Sequence, residues 1–195
     1  MGVAAAGTTA PARWRRALFV DRDGTLNPNL HYLKDADRVV LFRGVGNSLR
    51  LVRERGWSVI CVTNQSGIER GFFTEADVER IHARLNALLV PEGARIDAFY
   101  YCPHAPEHGC ACRKPGTELF ERARREWSID LASSAIVGDR VHDAEAGRSL
   151  GMLTAIVRWP GHSAEVDAEV AERNFVPEIS SDSFSGAVLR VLARG

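Results

Sequence analysis

Two aspartates that lie one residue apart follow a short apolar run near the start of the chain. The run covers residues 17–20, and Asp21 and Asp23 come next, with Gly24 and Thr25 after them. A carboxylate can catalyse phosphoryl transfer covalently by forming an aspartyl-phosphate. We therefore predict that Asp21, which is nearer to the end of the apolar run, is a nucleophile. Asp23 is predicted to be the general acid for a leaving alkoxide and later the base for water.

Three further polar motifs lie at the ends of apolar runs or before a helical pattern: Thr63-Asn64-Gln65, Lys114-Pro115, and Gly138-Asp139 with Asp143 beyond. Because ligands bind at the carboxyl ends of the strands of a parallel sheet, we expect Asp21, Thr63 and Asp139 to converge there. Asp21 and Asp139 supply the hard oxygen ligands that Mg²⁺ prefers. Thr63 and Asn64 are expected to donate hydrogen bonds to a phosphoryl group. Lys114 offers a compact positive charge that holds this group against the nucleophile.

Each motif alone has an ordinary structural interpretation. Asp and Gly favour turns for local reasons, a Thr-Asn pair after a strand often caps a helix, and a Lys-Pro pair is common in loops. The joint occurrence of the motifs, in this order and at these places, favours a catalytic site.

The elements that must position these motifs alternate between strands and helices. Apolar runs predict strands at residues 17–20, 57–62, 96–101, 135–137 and 153–157. Helical patterns lie at residues 44–55, 74–90, 117–127, 143–150 and 184–192. This alternation predicts an α/β fold built on a doubly wound parallel sheet. We expect residues 1–16 to be a flexible leader and residues 17–195 to form a single domain.

The composition excludes some classes of partner. The 25 Lys and Arg residues are balanced by 25 Asp and Glu residues, so no global field favours nucleic acid or a membrane surface. No apolar run approaches the roughly 20 residues that are needed to span a bilayer. The first 16 residues have no apolar stretch before their arginines and do not read as a signal peptide. We therefore expect a cytoplasmic monomer that acts on a small anionic substrate.

A second constellation joins sulfur and nitrogen ligands within a short loop. The candidate ligands are Cys102, His104, Cys110 and Cys112. Three thiolates and one imidazole are a common closed tetrahedral set for structural zinc. A disulfide is the alternative, but a cytosolic chain keeps its thiols reduced, and a bridge between Cys110 and Cys112 would be strained. His108 is a spare candidate ligand, although a solvated loop histidine is the simpler interpretation. Cys61 lies inside an apolar strand and is expected to be a buried, inert thiol.

The four catalytic motifs together resemble the signature of the haloacid dehalogenase superfamily. This resemblance implies a Rossmann-like fold and a Mg²⁺-dependent phosphatase. It also implies that the backbone carbonyl of Asp23 joins Asp21 and Asp139 in the magnesium shell, and that Asp143 supports this shell from outside. A phosphorelay receiver domain, which has a similar sheet and a phosphorylatable aspartate, is the alternative of another class. Asp23 discriminates between them, because a switch requires a long-lived aspartyl-phosphate and an enzyme requires its rapid hydrolysis.

The loop Cys-Pro-His…Cys-x-Cys-Arg-Lys-Pro narrows the resemblance to two families of phosphatases that carry a structural zinc and have no large cap domain. One family acts on heptose bisphosphates and the other on histidinol phosphate. Residues 63–74 look like the heptose motif Thr-Asn-Gln-Ser-Gly-Ile-Ala-Arg-Gly-x-Phe-Thr. Only five residues separate His104 from Cys110, and this short loop matches the histidinol family at least as well.

We favour the heptose interpretation, which implies removal of the C7 phosphate from D-glycero-D-manno-heptose 1,7-bisphosphate. Arg113, beside the zinc ligand Cys112, is expected to reach over the site and bind a distal polar or anionic group. The resemblance implies substrate contacts from Asn29, Leu30, His31, Tyr32, Asn64, Gln65, Ser66 and Arg113.

Overall fold

The computed structural model describes residues 15–159 and 163–195, so the leader predicted over residues 1–16 lies almost wholly outside the described residues. A six-stranded parallel sheet has the order β3-β2-β1-β4-β5-β6. Its strands are β1 (Ala17–Val20), β2 (Ser58–Asn64), β3 (Ala98–Cys102), β4 (Ala135–Gly138), β5 (Leu153–Val157) and β6 (Ile179–Ser181). The doubly wound parallel sheet expected from the sequence is thereby confirmed.

The helices that connect the strands cover both faces of the sheet. They are α1 (Val45–Glu54), α2 (Glu75–Leu89), α3 (Glu118–Trp127), α4 (Val141–Ser149), α5 (Ser163–Glu172) and α6 (Phe184–Leu192), with short 3₁₀ turns at Ala36–Arg38, Val90–Glu92 and Pro106–His108. None of the helices in the described part of the chain is long and apolar enough to cross a membrane.

Every residue of the central strand β1 is apolar, because both faces of this strand are covered by helices. Leu18 and Val20 point into a core cluster formed with α1 and α6. Ala17 and Phe19 point into the opposite cluster, where the Phe19 ring meets that of Phe120 on α3 edge-on at 5.3 Å. All four β1 residues are fully buried, as expected for a parallel strand that is covered on both faces.

Several boundaries differ from the sequence expectation. Thr63 and Asn64 are the last two residues of β2 rather than the first residues after it. They still pair with β3, opposite Tyr101 and Cys102. Helix α4 begins at Val141 and not at Asp143. Thr117 does precede α3, but its side chain makes no capping hydrogen bond.

The C-terminal region contains two elements that the sequence did not reveal. Strand β6 has only three residues, and α5 buries a single described side chain, Val166, so neither leaves a strong apolar pattern. Helix α6 lies where it was expected, at Phe184–Leu192.

Candidate active site

The two central strands, β1 and β4, end at the point where the strand order reverses. Asp21 directly follows β1, and its amide donates to the Val137 carbonyl of β4 over 3.0 Å. Asp139 directly follows β4. A cavity of about 450 Å³ opens here and is lined by both aspartates. This crevice at the topological switch point is the place where open parallel sheets bind ligands.

Lys114 joins two of the acids at the bottom of the crevice. Its Nζ lies 2.7 Å from Asp21 Oδ1 and 2.7 Å from Asp143 Oδ1, and it donates to the Val62 carbonyl over 2.6 Å. The Lys114 side chain is only 1% exposed. Burial alone would lower the pKa of Lys114, but the charges of Asp143 and Asp21 raise it above its ordinary value. The lysine is therefore a permanent cation between two carboxylates.

The two carboxylates respond to this environment in opposite ways. Burial raises the pKa of Asp21, and Lys114 opposes this shift without cancelling it. For Asp143, burial also raises the pKa, but Lys114 and His142 outweigh it and hold the pKa below the ordinary value. Asp143 is thus the firmly ionised partner of the pair.

Three carboxylates in this crevice fit a divalent cation. One oxygen from each of Asp21, Asp139 and Asp143 lies within 4.8 Å of the others, and all three residues are buried. Gly24 makes this approach possible, because its φ is +84° and a Cβ there would lie 2.1 Å from Asp139 Oδ2. Three buried acids against one lysine leave excess negative charge, and hard oxygen ligands of this kind suit Mg²⁺.

Asp23 lines the crevice and is held by three side chains. Its Oδ2 accepts from Arg22 Nη2 over 2.6 Å and from Gln65 Nε2 over 3.0 Å, and its Oδ1 accepts from Asn27 Nδ2 over 3.0 Å. Burial would raise the pKa of Asp23, but the Arg22 charge and these hydrogen bonds lower it overall. Asp23 is therefore a carboxylate at rest. No pattern in the sequence singled out Arg22, which is only 1% exposed.

The two polar residues at the end of β2 have different partners. Thr63 Oγ1 accepts from Gln65 Nε2 over 3.0 Å, which leaves the threonine proton available to another acceptor. The Asn64 amide instead bonds the backbone of Lys114 in both directions, over 3.0 and 3.3 Å. Asn64 lines the cavity, but its side chain positions Lys114.

The predicted zinc ligands converge on one point. Cys112 Sγ lies 3.2 Å from Cys102 Sγ, 3.4 Å from Cys110 Sγ and 3.2 Å from His104 Nδ1. A tetrahedron of sulfurs around zinc has an edge of about 3.8 Å, so the four groups fit the metal with little adjustment. All four cysteines are free, and the disulfide alternative does not apply. Cys61 is buried in β2, where burial raises the pKa of its thiol.

One wall of the cavity carries most of the residues expected to contact substrate. The residues that line it include Asn29, His31, Tyr32, Asn64, Gln65, Ser66 and Arg113. Leu30 does not line it and is instead 36% exposed. Its neighbours turn toward the cavity because His31 and Tyr32 have left-handed backbones, with φ of 42° and 56°. The substrate contact expected of Leu30 therefore stays a prediction, and in this structure its side chain faces solvent beside the cavity.

Four charged or titratable residues that also line this cavity were not predicted from the sequence. They are Arg140, His142, Glu169 and Arg173. Arg140 Nε lies 2.9 Å from Glu169 Oε2, and Arg173 Nη1 lies 2.9 Å from Glu145 Oε2. Arg140 and His142 lie just after Asp139 at the start of α4, whereas the packing of α5 brings Glu169 and Arg173 to the cavity.

Comparison with known proteins identifies a class that agrees with the fold and with the acidic crevice. Residues 111–182 match the model of the HAD-hydrolase-like family. The fold and the acidic crevice are accordingly those of a haloacid dehalogenase-like hydrolase, as the sequence motifs predicted.

Curated relatives define the family more narrowly. The chain is 35% identical over 162 residues to the D-glycero-beta-D-manno-heptose-1,7-bisphosphate 7-phosphatase of Haemophilus ducreyi, over 80% of this chain and 89% of the relative. It is 38% identical over 144 residues to the probable D-glycero-D-manno-heptose-1,7-bisphosphate 7-phosphatase of Thermoplasma volcanium, over 73% of this chain and 99% of the relative. The chain belongs to the family of these heptose bisphosphate phosphatases.

A solved structure agrees with this family. The D,D-heptose 1,7-bisphosphate phosphatase from B. bronchiseptica, complexed with magnesium and phosphate, has a TM-score of 0.81 and 28% identity. The match covers 92% of this chain and 99% of that chain.

Proposed function

We propose that this protein is a cytoplasmic, Mg²⁺-dependent phosphatase that removes the C7 phosphate of D-glycero-D-manno-heptose 1,7-bisphosphate and leaves the 1-phosphate. The observation that carries the proposal is the buried Asp21–Lys114–Asp143 set beside Asp139, at the sheet edge of a chain whose relatives bear this name. Absence of a large cap domain and a monomeric state remain predictions.

Asp21 is the proposed nucleophile. It lies at the end of β1 with one oxygen bound to Lys114, so the other oxygen is left to face the cavity. Asp21, Asp139 and the backbone carbonyl of Asp23 would hold Mg²⁺. A bound Mg²⁺ would neutralise charge between the attacking carboxylate and the phosphoryl oxygens. Asp143 supports the set through Lys114, and the lysine keeps Asp21 oriented.

Asp23 is the proposed proton carrier. Its lowered pKa suits the second half of the reaction, in which a carboxylate removes a proton from the attacking water. In the first half it must deliver a proton to the leaving alkoxide, so it has to enter that step protonated, with a proton taken from solvent or kept from the water of the preceding turnover. Gln65 and Arg22 each donate to its carboxylate and hold it at the cavity. Because such an acid promotes turnover of the aspartyl-phosphate, it disfavours the receiver-switch alternative.

Thr63 is the proposed hydrogen-bond donor to the phosphoryl group, because its oxygen already accepts from Gln65 and its proton is free. Asn64 contributes through the backbone of Lys114. The far end of the substrate would meet Arg113, Ser66 and the segment 29–32. Arg113 donates to the His104 carbonyl over 3.3 Å, so a zinc ion held by the loop would fix its position.

The test is phosphate release with Mg²⁺ from each anomer of the heptose bisphosphate and from histidinol phosphate at matched concentrations. We expect a preference for one heptose anomer of at least 100-fold, or about 2.7 kcal/mol of transition-state discrimination. A preference for histidinol phosphate would overturn the substrate assignment. That second candidate is favoured by one observation, the five-residue spacing between His104 and Cys110.

A further inference from the structure

The loop after β2 lies between the zinc loop (residues 102–112) and the substrate segment (residues 29–32), and two adjacent residues of this loop contact both. Glu69 uses its two carboxylate oxygens separately. Oε2 accepts from the backbone amide of Ala105, and Oε1 lies 2.8 Å from His108 Nδ1. The Glu69 amide in turn donates to the Pro103 carbonyl over 3.2 Å. Three bonds therefore join this residue to the zinc loop.

Arg70 points the other way. Its Nη1 donates to the hydroxyl of Tyr32 over 3.0 Å, and its Nη2 lies 3.3 Å from Glu107 Oε1. Tyr32 has a left-handed backbone, a conformation that a bulky residue adopts only when its surroundings impose it. The Tyr32 ring also packs on Phe72 with centroids 4.5 Å apart. Side-chain contacts thus hold the substrate segment in place.

The contact of Glu69 reaches the zinc ligands indirectly. The His108 ring that Glu69 binds is stacked on the ring of His104, with centroids 4.1 Å apart. Glu69 also fixes the amide of Ala105, the residue that follows His104. On the far side of the same loop, Arg113 binds the His104 carbonyl. His104 is therefore held on one side by a substrate-facing residue and on the other by partners of Glu69.

An isolated ion pair on the surface would not be enough to hold one loop against another. The Arg70–Glu107 pair is of this kind, since the Glu107 side chain is 74% exposed and exposed pairs contribute little. Glu69 differs because one of its partners is a backbone amide at a fixed place in the loop, and because both of its oxygens are used. Because this hydrogen bond is exposed, loss of the carboxylate would leave the Ala105 amide to bond water instead, and the zinc loop would lose this link to the loop after β2.

We propose that Glu69 is a positioning residue that holds the zinc loop against the loop after β2, and that Arg70 extends this link to Tyr32. Arg113 and Tyr32, which line the same cavity, thereby keep a fixed spacing. The proposal rests on the proposed zinc site but not on the identity of the substrate.

The test measures how fast a colorimetric chelator removes zinc from the full-length protein. We expect Glu69→Ala to release zinc about tenfold faster than the parent, the lower end of the effect of residues that support metal ligands. Glu69→Gln, which can still accept from Ala105, should fall between the two. The matched control is Glu54→Ala, which removes an exposed carboxylate that also forms a close ion pair, with Arg50 at 2.6 Å.

A second measurement separates positioning from simple loss of stability. In the zinc-loaded protein, Glu69→Ala should raise KM severalfold and leave kcat nearly unchanged, because the catalytic crevice is not touched. Equal zinc-release rates for the parent and Glu69→Ala would overturn the proposal, as would equal acceleration in Glu54→Ala. A parent protein that holds no zinc would also overturn it. If no tested phosphate ester is hydrolysed but Glu69→Ala still releases zinc faster, the link stands and only the proposed function fails.

Discussion

The magnesium crevice and the zinc loop are both built from a few polar residues, but different forces position them. In the crevice, Asp21, Lys114 and Asp139 come from separate parts of the chain that the parallel sheet brings together, and all are buried. In the loop, four ligands come from eleven consecutive residues, and the neighbouring contacts through Glu69 and Arg70 are exposed. Topology fixes the first site, whereas the second depends on its metal and on local contacts. The chemical step and substrate recognition should therefore respond to different substitutions.

The largest effect is expected from Asp21→Asn. The amide keeps the shape of the side chain, and Lys114 remains paired with Asp143, so the fold should survive. Turnover should fall by a factor on the order of 10⁴ or more, as when other covalent nucleophiles are removed. Phosphate release measures the loss of turnover, and circular dichroism checks that the fold survives. Asp37→Asn, at an exposed position, is the control. Residual activity within about tenfold of the parent, or 1.4 kcal/mol, would contradict the nucleophile assignment.

Lys114→Met should affect stability as well as activity. It leaves Asp21 and Asp143 buried without their cation, which typically costs about 3–5 kcal/mol. Urea unfolding in the presence of a chelator measures this loss. Lys34→Met, on an exposed side chain, should change the free energy of unfolding by less than about 0.5 kcal/mol.

The pH dependence of this loss follows from the sign of the pKa shifts. In the parent, the pKa of Asp143 is lowered, so its contribution to stability is present above its unfolded pKa and is lost as the pH falls through the folded value. Without Lys114, burial should raise the pKa of Asp143, and protonation then relieves the unpaired charge. The stability gap between parent and Lys114→Met should therefore be larger at pH 7 than at pH 5. A gap that grows on acidification would contradict the role of Lys114.

In the zinc loop, Cys112→Ser should weaken substrate binding more than it slows the chemical step. Loss of one thiolate should reduce bound zinc well below one per chain and lower kcat/KM about 10–100-fold, mainly through KM. Metal analysis and steady-state kinetics check this result. Cys61→Ala is the matched control, because Cys61 is the free cysteine that lies outside the cluster. Equal zinc content in both variants would show that the metal is held elsewhere.

The sequence predicted the crevice better than its walls, for a physical reason. Apolar strands that end in or are followed by Asp or Thr leave a local pattern, as does the Lys-Pro pair before α3, and parallel topology brings the strand ends together. The sequence did not show that Leu30 lies outside the cavity lining while its neighbours line it, because the left-handed turn at His31 is not readable from residue types. Glu169 and Arg173 were missed because α5 buries only one described side chain, so its position depends on tertiary packing. The sequence also did not show that the Asn64 amide pairs with the Lys114 backbone, which leaves one amide hydrogen for the phosphoryl contact expected of Asn64.

The smallest expected effect concerns Trp159, which does not line the crevice but bonds the turn that follows Asp23. Trp159 Nε1 donates to the Gly24 carbonyl over 2.7 Å, and its ring stacks on Phe42 with centroids 3.9 Å apart. Gly24 lies directly against Asp139, so this bond steadies the turn on which the acidic set depends.

Trp159→Phe keeps an aromatic ring on Phe42 and removes only the donor. One neutral hydrogen bond is worth about 1 kcal/mol, so the Mg²⁺ concentration for half-maximal activity should rise about fivefold. Trp127→Phe, in the core cluster on the other face of the sheet, is the control and should leave it unchanged. Zinc content should stay the same in both variants, because the zinc loop does not depend on this turn. If Trp159→Phe released zinc as well, the two regions would be coupled, and the contrast between a site fixed by topology and a site fixed by its loop would fail.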